Sequence, residues 1–167
     1  ETLLENGEYK SADDLIAKII KDQPSNSNIQ SLQTISLALQ SKLDDAQEKL
    51  NILLVKYPSN PDLHYAQGIV YLKRIESSDM EYRNKADVLF DKAINEFNIA
   101  TEIDKNYHRA YNASGVAWLN AGEIERAKVD FERAIEIEPK YATAIDNLGT
   151  LDFLAGNYDN AEVKFIQ

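Results

Sequence analysis

The sequence predicts an all-α chain, a solenoid built from antiparallel helix pairs. Three observations predict it. A pattern of residues recurs every 34 positions. Within each copy, small and large apolar residues alternate at helical spacing. Glycine and proline fall where helices should turn or end.

The recurrence is clearest in the second helix of each predicted pair. A small residue that lets two helices approach is followed four positions later by a large one that fills the gap, which is the buried stripe of an amphipathic helix. These small and large positions are Ala12 and Ile16, Ala46 and Leu50, Ala93 and Phe97, Ala127 and Phe131, and Ala161 and Phe165.

Turn-forming residues separate the helices. Three glycines stand between the two helices of a pair, where a turn requires positive φ: Gly7, Gly122 and Gly156. Three prolines end the second helix of a pair: Pro24, Pro58 and Pro139. A single hairpin leaves an apolar face bare, so we expect the hairpins to stack.

The pattern resembles the tetratricopeptide repeat family over essentially the whole chain. The matching positions of unit 108–141 are Tyr111, Gly115, Trp118, Ala127, Phe131, Ala134 and Pro139. Four positions depart from the family pattern: Ser114 for leucine, Thr34 for glycine, and Leu37 and Asp152 for aromatic residues. The resemblance implies a right-handed superhelical solenoid and a protein-binding role.

We expect one array over residues 1–167. Its units are 1–26 (partial), 27–60, 61–107, 108–141 and 142–167 (partial). Both ends fall inside repeats, and solenoid ends normally need polar caps. We therefore expect the natural protein to continue, or to pair with itself at an end.

Unit 61–107 is 13 residues longer than its neighbours, with the surplus near residues 75–87. This stretch contains no glycine or proline, and Asp79 is one of its candidate N-caps. We predict a second helix of about 24 residues, ~36 Å long, whose first turns project beyond the stack. The insertion is either a tolerated surface segment or a contact site centred on Met80 and Tyr82.

Composition restricts the function. The net charge of −10 argues against nucleic-acid binding, and the absence of cysteine removes thiolate chemistry and disulfides. No apolar run reaches the ~18 residues that a membrane span needs. No catalytic, nucleotide-binding or paired-histidine motif occurs. We expect a non-enzyme with no cofactor and no metal.

The remaining titratable residues have structural interpretations. His64 and His108, the two histidines, fall near the starts of successive first helices and should be surface or groove residues. The carboxylate pairs Asp13-Asp14 and Asp44-Asp45 should stand in the first turns of second helices, where they favour the helix dipole.

In tetratricopeptide arrays the first helices line a concave groove, and the resemblance places partner-binding positions there. These positions are Tyr65, Ile69 and Lys73 on one first helix, and Arg109, Asn112, Val116 and Asn120 on the next. Their mixed polar and apolar character suits an extended peptide or a helix of another protein. The alternative is that neighbouring apolar residues such as Leu72, Leu119 and Phe153 belong to the core.

A subset of the family clamps the acidic C-terminus of chaperones with lysine, asparagine and arginine. In one frame the clamp positions are Ser31, Ile35, Ala66, Arg109 and Ala113, and in the next they are Tyr65, Ile69, Ala113, Thr143 and Asn147. Of the first frame only Arg109 fits, so we do not expect a chaperone clamp.

Three functions compete. The leading one is a scaffold that binds a protein segment through the groove. The second is self-assembly into a homo-oligomer through open ends or the projecting helix. The third is an enzyme or a lipid-linked processing factor whose chemistry lies outside this piece.

Overall fold

The computed structural model describes residues 2–77, 79–157 and 164. All regular structure in these residues is helical, which confirms the predicted all-α class. The helices are α1 (Thr2–Glu5), α2 (Tyr9–Asp22), α3 (Ser27–Leu39), α4 (Leu43–Lys56), α5 (Pro61–Glu76), α6 (Met80–Arg83), α7 (Ala86–Ile103), α8 (His108–Asn120), α9 (Ile124–Ile137) and α10 (Ala142–Leu154).

The chain forms two compact units, residues 1–103 and 104–167. In the first unit, α1 pairs with α2, α3 with α4, and α5 with α7, and successive pairs pack on one another. In the second unit, α8 pairs with α9, and α10 packs mainly on α9. The second helix predicted for unit 142–167, with Ala161 and Phe165, lies outside the described residues.

The small-and-large stripe forms the core of both units. Ala93 and Phe97 in the first unit are fully buried, as are Ala127 and Phe131 in the second. A Cβ placed on Gly115 would lie 2.6 Å from Cε1 of the Phe131 ring. Glycine is therefore required at this position because the ring of the partner helix occupies the space of a side chain.

Unit 27–60 solves the same packing problem with other residues. It has Thr34 where units 61–107 and 108–141 have glycine, and Leu50 where those two units have phenylalanine. Both side chains are fully buried. A smaller residue on the second helix thus accompanies a larger residue on the first, which keeps the packed volume balanced.

The predicted turn glycines have positive φ, at +75° for Gly7, +83° for Gly122 and +79° for Gly156. Ser41 holds the corresponding position between α3 and α4 with φ of +61°. Its N–H donates to the Ala38 carbonyl at 3.0 Å, as the N–H of Gly122 does to Leu119. The same turn therefore forms at Ser41 and at Gly122, but Ser41 carries a Cβ that makes positive φ unfavourable.

The other helix ends follow the sequence closely. Helices α2, α4 and α9 end at Asp22, Lys56 and Ile137, two residues before Pro24, Pro58 and Pro139. Proline lacks an N–H and restricts the residue before it, so the helix stops there. The three prolines are confirmed as terminators of second helices.

The two predicted carboxylate pairs occupy different positions in their helices. Asp44 and Asp45 lie in the first turn of α4, as predicted. The prediction for Asp13-Asp14 was wrong, because α2 already begins at Tyr9. The carboxylate of Asp13 instead accepts hydrogen bonds from the Ser36 hydroxyl at 2.5 Å and the Gln40 amide at 2.9 Å. It joins α2 to α3.

The insertion differs from the prediction. The prediction of a single helix of about 24 residues was wrong, because α6 ends at Arg83 and α7 begins at Ala86 after a turn at residues 84–85. Part of the surplus lengthens α5, which has 16 residues against 13 in α8. Asp79 caps α6 as expected, accepting from the N–H of Glu81 at 2.8 Å. Tyr82 of α6 contacts Arg74 of α5.

Within the described part of the chain, the helices are too short or too polar to cross a lipid bilayer.

Exchanging Ser41 for glycine should stabilise the first unit by about 0.5–1 kcal/mol, because glycine adopts positive φ without the steric penalty of a Cβ. Gly122→Ser is the matched reverse change. A Cβ there would have no neighbour within 4 Å, so its cost is confined to the backbone. Urea denaturation, followed by the circular dichroism signal of the helices, should show a higher free energy of unfolding for Ser41→Gly and a lower one for Gly122→Ser. Changes of the same sign in the two variants would contradict this account.

Gly115→Ala should destabilise the second unit by about 1–3 kcal/mol through overpacking, despite the better helix propensity of alanine. Phe131→Leu removes the opposing ring. The double variant Gly115→Ala/Phe131→Leu should therefore lose less stability than the sum of the losses in the two single variants. The fluorescence of Trp118, the one tryptophan in the sequence, reports unfolding of this unit. Additive losses would show that the ring does not impose the glycine.

Candidate partner-binding faces

The first face lies on α5 and is called the α5 face: Tyr65, Ile69 and Lys73, spaced four residues apart on one side of the helix. All three side chains are half-buried. Ile69 packs against the apolar cluster that includes Leu63 and Val70. The ring of Tyr65 lies 5.9 Å from that of Phe97, centroid to centroid. Their inner atoms thus belong to the core, and their outer atoms are accessible.

Lys73 is the cationic member of the α5 face. Its ammonium lies 2.6 Å from the Glu76 carboxylate on the next turn of the same helix. Its side chain is 33% accessible. An exposed pair of this kind contributes little to stability, so either member can be exchanged for a partner's charge at small cost.

Asn60 fixes the start of α5. Its side-chain oxygen Oδ1 accepts hydrogen bonds from the N–H groups of Asp62 at 2.9 Å and Leu63 at 3.2 Å, which is an N-cap. Its amide nitrogen donates to Ser27 at 2.8 Å and to Asn28 at 2.9 Å, both at the start of α3. One buried side chain therefore both begins α5 and sets its position against α3.

The second face lies on α8 and is called the α8 face: Arg109, Asn112, Val116 and Asn120. Arg109 and Val116 are half-buried, and Asn120 is exposed. Val116 packs against the cluster that contains Ala127 and Phe131. The amide of Asn120 donates to the Val116 carbonyl at 3.0 Å.

Asn112 differs from its neighbours on the α8 face. Its side chain is 7% accessible, and its oxygen accepts a hydrogen bond from the Asn147 amide at 2.9 Å. This bond joins α8 to α10. Asn112 thus stabilises the unit, a role that the sequence pattern did not indicate.

The insertion is held by Arg74. Its guanidinium lies over the ring of Tyr82, 4.7 Å from the centroid, and donates a hydrogen bond to the tyrosine hydroxyl. It also pairs with Asp44 of α4 at 3.0 Å. Tyr82 therefore folds back onto α5, and the predicted projection of these turns was wrong. Met80 is 62% exposed.

Two histidine contacts were not foreseen in the sequence. Nδ1 of His64 lies 2.7 Å from the Glu96 carboxylate of α7, and Nε2 lies 2.9 Å from the Pro58 carbonyl. Both neighbours are acceptors, so both ring nitrogens donate when the ring is protonated. The hydrogen bond to Glu96 therefore raises the pKa of His64 above its ordinary value of 6.5, although burial opposes it. His108 meets Tyr141 edge to face at 4.8 Å.

Three or more histidine, aspartate or glutamate side chains do not come together as a possible metal site anywhere in residues 2–77, 79–157 and 164.

The chain matches the structure of a thermophilic TPR protein from Thermus thermophilus with a TM-score of 0.82, over 99% of this chain and 84% of that one, at 18% identity. The chain has the tetratricopeptide-repeat fold. No protein-family model matches the sequence.

Two further solved tetratricopeptide structures are similar. MamA matches with a TM-score of 0.66 over 98% of this chain and 88% of that one, at 21% identity. The first TPR domain of Spaghetti (RPAP3), bound to the HSP90 peptide SRMEEVD, matches with a TM-score of 0.62 over 78% of this chain and 93% of that one, at 24% identity. Likeness at these identities shows the fold.

One curated sequence adds a distant relationship. RNA polymerase II-associated protein 3 of Homo sapiens is 29% identical over 75 residues. These residues are 45% of this chain and 11% of that protein. The chain thus matches a small part of a much longer relative.

The His64–Glu96 contact should make the first unit sensitive to pH. Because the folded-state pKa of His64 is raised, its stabilising contribution is complete below pH 6.5 and is lost as pH rises through the folded-state pKa. Histidine resonances followed by NMR should show the pKa of His64 falling towards 6.5 in Glu96→Gln. The stability difference between wild type and His64→Gln should shrink from pH 5.5 to about 8.5. A pKa unaffected by Glu96→Gln would contradict the assignment.

Proposed function

We propose that this chain is a protein-interaction scaffold that binds extended peptides or helices of partner proteins, the first unit through the α5 face and the second unit through the α8 face. The observation that carries the proposal is the partial accessibility of these faces after the helices have packed. Each combines an apolar residue with polar or charged ones, Ile69 with Lys73 and Val116 with Asn120. Such surfaces suit a peptide that needs both anchoring and orientation.

The comparisons support the class of function. The similar first TPR domain of Spaghetti holds a peptide of HSP90. The human relative is a protein associated with RNA polymerase II. Both support a tetratricopeptide chain that acts by binding other proteins. By the same analogy, we propose that the chain is not an enzyme.

The ligand should differ from the acidic HSP90 peptide. Of the clamp positions, Ser31 and Ala66 are buried and lack a cationic group, and the Ser31 hydroxyl donates to the Asn28 carbonyl at 2.7 Å. The chain also carries a net charge of −10, which repels an acidic peptide. We propose a neutral or basic segment as the partner.

Self-assembly is the competing proposal. Met80 lies within the insertion and Val88 directly after it, and both are exposed apolar residues, at 62% and 54%. A contact between copies through such residues would make the mass in light scattering rise with concentration. A constant monomeric mass would remove this alternative.

The binding proposal predicts that Lys73→Glu combined with Asn120→Ala weakens capture of the partner protein about ten-fold or more, equivalent to 1.4 kcal/mol. These side chains are accessible, whereas Tyr65→Ala and Asn112→Ala would also remove contacts with Phe97 and Asn147. Lys128→Glu makes the same charge reversal on α9 and serves as the control. Affinity is measured by titration calorimetry with the protein captured by wild type.

Equal affinity in the double variant and wild type would overturn the binding proposal. The HSP90 peptide SRMEEVD provides a second arm of the same experiment. We expect no binding at concentrations up to about 1 mM. Tight binding of SRMEEVD would show that the chain holds acidic peptides without the clamp residues.

A further inference from the structure

An open hollow of about 320 Å³ lies between α8 and α9 in the second unit. Its lining residues are Trp118, Glu125, Arg126, Val129 and Asp130. Trp118 follows Val116 of the α8 face by two positions, so their side chains point about 160° apart around the helix axis. The hollow is thus separate from the surface used in the proposed function.

Apolar and charged groups are arranged side by side in this hollow. Val129 is 64% exposed, and Trp118 is half-buried against the Phe131 cluster. The Arg126 guanidinium lies over the indole ring, 4.6 Å from its centroid, with its Nε 3.8 Å from Glu123. Arg126 therefore already has an anionic partner outside the lining.

The lining has an excess of negative charge. It contains two carboxylates, Glu125 and Asp130, and one guanidinium, Arg126. Asp130 is half-buried, and this burial raises the pKa of its carboxyl. A partly desolvated carboxylate beside an apolar wall is complementary to a cation on an aliphatic stem.

We propose that the hollow between α8 and α9 binds a lysine or arginine side chain of a partner protein. The aliphatic stem would lie on Val129 and the edge of Trp118, and the cationic group would pair with Asp130. The net charge of −10 attracts a basic segment from a distance. This inference adds a second binding position, one that does not depend on the α5 and α8 faces.

Trp118 makes the proposal directly testable, because the one tryptophan gives a single indole N–H signal in NMR. The probe is the blocked tripeptide acetyl-Ala-Lys-Ala-amide, titrated into the whole chain. Its matched control carries an acetylated lysine, which keeps the stem and loses the charge. We expect saturable movement of the indole signal with the first peptide and at least about ten-fold weaker binding of the second.

Asp130→Asn should weaken binding of the lysine peptide about ten-fold, whereas Glu132→Gln, an equal charge change on the exposed side of α9, should leave it unchanged. An equal response to both peptides would overturn the proposal, as would an equal effect of both variants or a stationary indole signal. The peptide comparison uses wild type, so it stands even if Asp130→Asn unfolds. Lys73→Glu/Asn120→Ala should leave tripeptide binding unchanged, which separates this result from the test of the α5 and α8 faces.

Discussion

The contact between a phenylalanine ring and a glycine backbone is the constraint on which the rest of this structure depends. Phe131 fills the space that a side chain on Gly115 would take, and Phe97 does the same at Gly68. The two helices of a pair can then approach closely, with fully buried alanines beside the ring. This close approach determines which side of α5 or α8 is buried and which remains available to a partner.

Polar contacts add what apolar packing leaves undetermined, namely the relative position of successive hairpins. Asp13 bonds to Ser36 and Gln40, and Asn60 bonds to Ser27 and Asn28. Apolar surfaces tolerate small sliding movements, whereas these part-buried hydrogen bonds are satisfied in one geometry and are costly to break. These bonds therefore fix the position of α3 and α5, and with it the direction in which the α5 face points.

The fold could be predicted from the sequence because each repeated residue packs against, or ends, a helix of its own hairpin. Ala127, Phe131 and Pro139 act within one hairpin, so their spacing alone predicts the helix, its packing partner and its end. The faces were harder to predict: Asn112 was expected to bind a partner, but its side chain bonds instead to Asn147 of another helix. The same holds for His64 with Glu96 and Arg74 with Tyr82, because no periodicity marks a pair that joins different helices.

Arg74 also allows unit 61–107 to be longer than its neighbours without disturbing the packing of its repeat positions. It fixes Tyr82 on α5 and pairs with Asp44, so the segment between α5 and α7 is anchored near its middle. Gly68 and Phe97 still meet although 13 additional residues lie in their unit. Because this anchor holds the added segment against α5, the unit can be longer than its neighbours while its glycine and phenylalanine stay paired in the core.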